Sequence, residues 1–179
     1  MLEHEILTKK ELFTSFFKTE QSLIKFDEIK DYLEKCTAKD LNKLKRLNGI
    51  EIKWEKNIHW LYEYIRDQFT KHHFPKKATL VPTGYEVLIT QPGELHPTIN
   101  DINIYDLHNS PDYTILFGIT GKATINLFYD DNRQKDQQWF IDLNKDQFII
   151  FSSSIKYDIS PNRGDENRYI IKIKAHCLR

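Results

Sequence analysis

The hydrophobic period of this 179-residue chain changes near residue 78, from about 3.6 residues to two, and no other feature constrains the fold as much. Up to about Lys77 the apolar residues recur at three and four. Leu12, Phe13, Phe16 and Phe17 do so behind Thr8, which suits an N-cap with Glu11 three residues on. Phe26, Ile29, Tyr32 and Leu33 repeat the pattern, and Leu41, Leu44 and Leu47 continue it to Asn48-Gly49, a C-terminal signal. A fourth stretch, Ile58, Leu61, Tyr62, Ile65 and Phe69, closes before His72-His73-Phe74-Pro75. Four amphipathic helices are expected.

From Ala78 onward β-branched and aromatic residues alternate with polar ones. Strands are predicted at 84–90, 101–107, 113–119, 122–129, 138–143, 147–151, 155–159 and 168–174. Turn signals separate most of them, among them Pro92-Gly93, Asn109-Ser110-Pro111, Thr120-Gly121, Asn144-Lys145 and Pro161-Asn162-Arg163-Gly164. About eight short strands at this spacing predict a sandwich or barrel, not alternating β-α units. The expected class is mainly β with an N-terminal helical part, α+β overall. Residues 1–179 are read as one domain, with a helical accessory part at 1–77 packed outside a β core at 78–179.

Composition narrows the function classes. Twenty-six basic and 26 acidic residues give zero formal net charge, which argues against a nucleic-acid binder because a polyanion partner selects a basic excess. No apolar run reaches the length of a membrane span, and the charged segment MLEHEILTKKELF lacks a signal-like apolar region. A cytoplasmic protein is expected. Cys36 and Cys177 are distant in sequence and no disulfide framework is expected. Phosphate-cradling glycine loops and C-x-x-C are absent.

Two segments carry a family resemblance: HNSPDYTILFGITG at 108–121, and FSSSIKYDISPN at 151–162 followed by Arg168. Together they resemble the double-stranded β-helix, a cupin-like jelly roll, of the Fe(II)/2-oxoglutarate dioxygenases and their cupin and Jumonji-C relatives. The second segment is similar to the form F-P-S-x-x-x-H-x-V-x-P-N, then R, of phage and marine bacterial members. The resemblance covers roughly residues 84–175. It implies iron held by two histidines and a carboxylate, with the first histidine and the carboxylate two residues apart. It further implies 2-oxoglutarate anchored by an arginine, whose guanidinium suits a bidentate carboxylate.

Carried over residue by residue, His108 matches the first ligand, Ser110 the second and Tyr157 the distal histidine. Arg168, eleven residues after Tyr157, matches the 2-oxoglutarate anchor. Two of three ligand positions therefore depart from the pattern. Asp106, two residues before His108, and Asp112, four after it, are substitute metal ligands, and His96 and His176 are further ones. Against these readings stand plainer ones. Tyr157 in an Ile-x-Tyr-x-Ile alternation suits a barrel-lining aromatic, and Arg168 suits a surface pair with Asp165 or Glu166.

Three functions follow. The first is a cupin-like pocket, metal-free, binding a small anionic ligand through Arg168 beside Tyr157, Phe117 and Phe151. The second is an Fe(II)/2-oxoglutarate-dependent oxygenase with a nonstandard ligand set. The third is a structural or assembly protein whose exposed sheet edge makes a homodimer contact. A small-molecule partner is expected in the first two, and neither nucleic acid nor membrane in any.

Overall fold

The computed structural model describes residues 12–16, 26–38, 49–53, 55–73, 79–132 and 135–178. In chain order these form β1 (Leu12–Phe16), α1 (Phe26–Ala38), β2 (Ile50–Glu51), α2 (Lys56–His73), β3 (Thr79–Thr90) and β4 (Tyr113–Gly118). There follow β5 (Ala123–Asn132), β6 (Lys135–Leu143), β7 (Gln147–Ser152), β8 (Lys156–Ile159) and β9 (Arg168–Leu178). A six-stranded sheet has the order β1-β7-β4-β9-β3-β2, and a three-stranded sheet the order β6-β5-β8. An isolated antiparallel bridge between Ile99 and Tyr157 adds one more segment beside β8. Cys36 and Cys177 are both free. Among the described residues no helix is long and apolar enough to cross a membrane.

The larger sheet is covered on both faces, so its central strands are largely apolar on both. One face meets the helices. Asp27 and Glu28 favour the first turn of α1 and Lys35 its last, as the helix dipole prefers. Ile29 and Leu33, four apart, turn inward, and α2 presents Ile58, Leu61, Tyr62, Ile65 and Phe69 at the same spacing. Glu55 caps α2 by accepting from the Ile58 amide at 3.1 Å. These residues pack on Val87, Ile89, Ile115, Phe117, Phe148, Ile150, Tyr169, Ile171 and Ile173. Phe26 stacks on Phe117 with ring centroids 5.8 Å apart. The helices thus lie outside the β unit, as expected.

The other face meets the smaller sheet across a second core of Leu88, Leu116, Ile149, Phe151 and Ile170 against Ile125, Leu127, Ile155, Tyr157 and Ile159. Alternation along each strand assigns the faces: on β9, Tyr169, Ile171 and Ile173 look to the helices, and Arg168, Ile170 and Lys172 look between the sheets.

Two predicted elements differ. Leu12–Phe16, expected to be helical, is a strand paired with β7 from Leu12↔Phe151 to Phe16↔Gln147. The open edge of β7 offers unpaired backbone groups, and satisfying them outweighs local helical spacing. Residues 101–107, expected as a strand, are turns. Asn100 Oδ1 accepts from the Ile102 amide at 3.3 Å and Asn103 Oδ1 from the Tyr105 amide at 3.0 Å, so two Asx turns replace the ladder. Ile104, Tyr105 and Leu107 are left exposed. The helix expected over Leu41–Leu47, and Thr8 and Glu11 that were expected to cap the first helix, lie outside the described residues.

Candidate functional site

Between the sheets the inward residues of β3 and β9 bring charge into the barrel. Lys172 is 1% exposed, and its ammonium lies 2.9 Å from Asp101 Oδ1 and 2.6 Å from Glu86 Oε2. Lys174 joins from the same strand face, 2.6 Å from Glu86 Oε1. Two cations and two carboxylates therefore balance, which a buried ion cluster requires. Asp101 Oδ2 accepts from Thr114 Oγ1 at 2.9 Å. Thr114 has spent its only proton there, so the Ser153 hydroxyl, 2.9 Å away, must donate to it.

Tyr157 is fully buried beside this cluster, its ring edge-on to Phe151 at 5.2 Å. Among the described residues its hydroxyl has no hydrogen-bond partner. Burial foremost, then the nearby Asp101 and Glu86 charges, raise its pKa well above the usual tyrosine value. The phenol stays protonated.

Arg168 opens β9 on the same inward face, four residues before Lys172 and so about 13 Å from it along a strand. Its guanidinium, 1% exposed, donates to the carbonyls of Lys122 at 3.1 Å, Pro161 at 3.5 Å and Ser160, and to Thr90 Oγ1 at 3.4 Å. Among the described residues no carboxylate is a partner, and Nε has none. Burial lowers its pKa. Gly121 lies against it in the left-handed region, φ +70°, where a Cβ would stand 3.4 Å from Arg168 Cγ.

A cleft of about 720 Å³ opens at this end of the barrel between residues 120–124 and 160–167. Buried Asn162 holds its floor, donating to the Thr90 carbonyl at 2.9 Å and the Glu166 carbonyl at 2.8 Å. The residues whose carbonyls receive Arg168 also wall the cleft, so the guanidinium lies directly behind it.

The other sequence candidates sit elsewhere. His108 is exposed in a turn. Asp106 accepts from Asn109 Nδ2 at 2.8 Å and from the Asn109 amide, bonds that lower its pKa. Ser110 is a turn residue, donating to the Asp106 carbonyl at 3.0 Å and accepting from the Asn103 amide. Asp112 accepts from the Cys177 amide at 2.8 Å and faces His176 Nδ1 at 3.6 Å. Among the described residues no three His, Cys, Asp or Glu side chains gather closely enough to hold a metal ion, so His108, Asp106 and Asp112 do not form a ligand set in this arrangement. His96 is nearer the barrel interior: burial lowers its pKa, and Arg168 and Lys172 add to the effect.

Among solved structures, the chain is similar to AviO1 from Streptomyces viridochromogenes Tue57, with a TM-score of 0.62 and 10% identity over 93% of this chain and 90% of that one. A Pseudomonas putida prolyl-4-hydroxylase follows, at 0.57 and 9% over 95% and 89%. An oxidoreductase of the 2OG-Fe(II) oxygenase family from Burkholderia pseudomallei gives 0.54 and 8% over 72% and 63%. The fold is that of the 2OG-Fe(II) oxygenases. No protein-family model and no curated protein matches the sequence, and at such identities the likeness carries the fold alone.

Within this β-helix the segment facing Tyr157 is Ile99–Asp101, not His108–Ser110. The Ile99 amide donates to the Tyr157 carbonyl at 2.7 Å and the Tyr157 amide returns a bond at 3.1 Å. Asp101, two residues on, shares the inward side with Ile99. The relation expected of two histidines and a carboxylate is thus held by Ile99, Tyr157 and Asp101. A sec-butyl group, a buried phenol and a carboxylate already bonded to an ammonium do not fit Fe(II).

Sequence reasoning missed Ile99, Asp101, Glu86 and Lys172. The sequence holds only a weak trace of them: Lys172 is in phase with Arg168 and Ile170 on a strand whose opposite face is wholly apolar, a pattern that a solvated face shares.

Proposed function

We propose that this chain is a metal-independent binding protein on the double-stranded β-helix fold, taking a small anionic ligand of the short dicarboxylate class at the barrel end where Arg168 is buried. The observation that carries this reading is a guanidinium withdrawn from water with, among the described residues, only neutral acceptors as partners and one N–H unpaired. A buried cation without a counter-charge is costly, and a carboxylate entering the adjoining cleft supplies that charge together with a strong, charge-assisted bond. Lys122 and Arg163 at the cleft rim are matched by Asp165 and Glu166, and Lys122 pairs with Asp142 at 3.1 Å, so the buried guanidinium and not the rim sets the sign of the ligand. Leu88, Leu116, Ile125 and Ile170 fill the barrel beyond, which keeps the ligand at the rim. An oxygenase activity has the fold in its favour, but the residues facing Tyr157 do not supply its metal.

The test is calorimetry and thermal shift with 2-oxoglutarate, succinate and phosphate in the presence of EDTA. At least one anion is expected to bind saturably to the wild type. Arg168→Gln is expected to weaken it roughly 10- to 150-fold, since a hydrogen bond to a charged group contributes about 1.5–3 kcal/mol and a decade is about 1.4. Arg163→Gln, at the exposed rim, is expected to weaken it less. Silence with all three anions, or unchanged binding in a folded Arg168→Gln, overturns the proposal.

A further inference from the structure

A lysine in the middle of an inward strand face, beside Ile170, has no solvent to reach, and its cost is met by two carboxylates placed for it. Those carboxylates come from separate parts of the chain, Asp101 from the segment bridged to β8 and Glu86 from β3. Thr114 and Ser153 complete the shell from β4 and from the turn after β7. A cation centre assembled from five places in the sequence is a built site, and its cation is covalently part of the protein.

We infer that the Lys172 ammonium is the resident cation of the barrel, taking the role that a metal ion takes in barrels whose inward ligands can hold one, so that the chain binds no divalent metal there. Three features of the barrel carry this. Asp101 is the single carboxylate among the three inward positions around the Ile99–Tyr157 bridge, and Lys172 holds it at 2.9 Å. The other two positions offer a hydrocarbon and a fully buried phenol whose hydroxyl has no hydrogen-bond partner among the described residues to take its proton. The cluster is already neutral, so a divalent ion would enter against a fixed positive charge with no ligand freed to receive it. This inference stands apart from the anion site at Arg168: anions bind or fail to bind there whether or not Lys172 excludes metal.

The test is an anaerobic calorimetric titration with Fe(II), repeated with Co(II) for its visible spectrum. The wild type is expected to show no saturable binding and no ligand-field band. The triple variant Ile99→His, Tyr157→His, Lys172→Ala supplies two imidazoles beside Asp101 and removes the ammonium. It is expected to gain more than about 100-fold in affinity, beyond what supporting residues around a metal contribute. Lys172→Ala alone leaves Asp101, Glu86 and Thr114 as an oxygen shell, and Mn(II) is expected to raise its melting temperature but not that of the wild type. One equivalent of Fe(II) or Co(II) bound by the wild type, and lost in Asp101→Ala, overturns the inference whatever the variants do. A folded triple variant that binds no metal overturns the placement of Ile99, Asp101 and Tyr157 around one centre.

Discussion

Replacing Lys172 by methionine removes one charge and keeps nearly the whole side-chain volume, which isolates the electrostatic part of the barrel cluster. Glu86 retains Lys174 at 2.6 Å, so the deficit falls on Asp101, which keeps only its Thr114 hydrogen bond. Asp101 is 2% exposed at its side chain and Lys172 1%, so solvent does not screen the loss as it would at the surface. Removing one partner of such a pair costs about 3–5 kcal/mol. For a chain of this length that is a fall of roughly 6–20 °C in melting temperature, at about 2–4 °C per kcal/mol. Urea unfolding gives the free energy directly. Asp101→Asn placed in the same background keeps an acceptor for Thr114 and removes the stranded charge, so the double variant is expected to recover part of the loss. A coupling of about 2 kcal/mol, within the usual range of roughly 0.5–3 for contacting residues, is the expected result. A loss below about 1 kcal/mol for Lys172→Met, or strict additivity in the cycle, refutes the account of the cluster.

Two further outcomes follow from separate features. His96 has a folded pKa below its ordinary value of 6.5, through burial and then the Arg168 and Lys172 charges against an opposing Glu94. The unfolded chain therefore binds the extra proton first, and stability is expected to be level above about pH 7 and to fall as pH drops below 6.5. His96→Gln is expected to flatten that part of the urea-midpoint profile, and an unchanged slope would remove His96 as its cause. At Gly118 a Cβ would collide with the Asn144 carbonyl in the turn before β7, while the Gly118 carbonyl itself accepts from the Asp146 amide at 3.0 Å. Gly118→Ala is expected to cost about 1–3 kcal/mol in chemical denaturation, and a neutral effect would mean that the turn yields freely.

Much of the fold is legible where one signal decides it. The period-two segments became β3, β4, β5, β7 and β9 because their backbone pairing and their apolar faces demand the same register. Ile29 and Leu33, with Ile58, Leu61 and Ile65, mark two helices for the same reason. Leu12–Phe16 was not legible, because a five-residue segment takes its conformation from the β7 edge it joins and not from its own spacing. At 101–107, side-chain amides of Asn100 and Asn103 compete for the backbone in a stretch whose apolar alternation looks like a strand. The site divides similarly. Tyr157 and Arg168 stand out in the sequence because a motif surrounds them. Asp101 and Lys172 do not: an Arg-x-Ile-x-Lys-x-Lys face looks like a solvated one until the second sheet covers it, and only the three-dimensional pairing of Ile99 with Tyr157 brings Asp101 to Lys172.

The most direct measurement is a crystal structure of the protein grown with excess Mn(II) and 2-oxoglutarate, with anomalous differences recorded for the metal. The expected result is the Lys172 ammonium in contact with Asp101 and Glu86, no anomalous peak between the sheets, and any bound carboxylate in the cleft beside Arg168. An anomalous peak between Asp101 and Tyr157, with Lys172 displaced from both carboxylates, would contradict it.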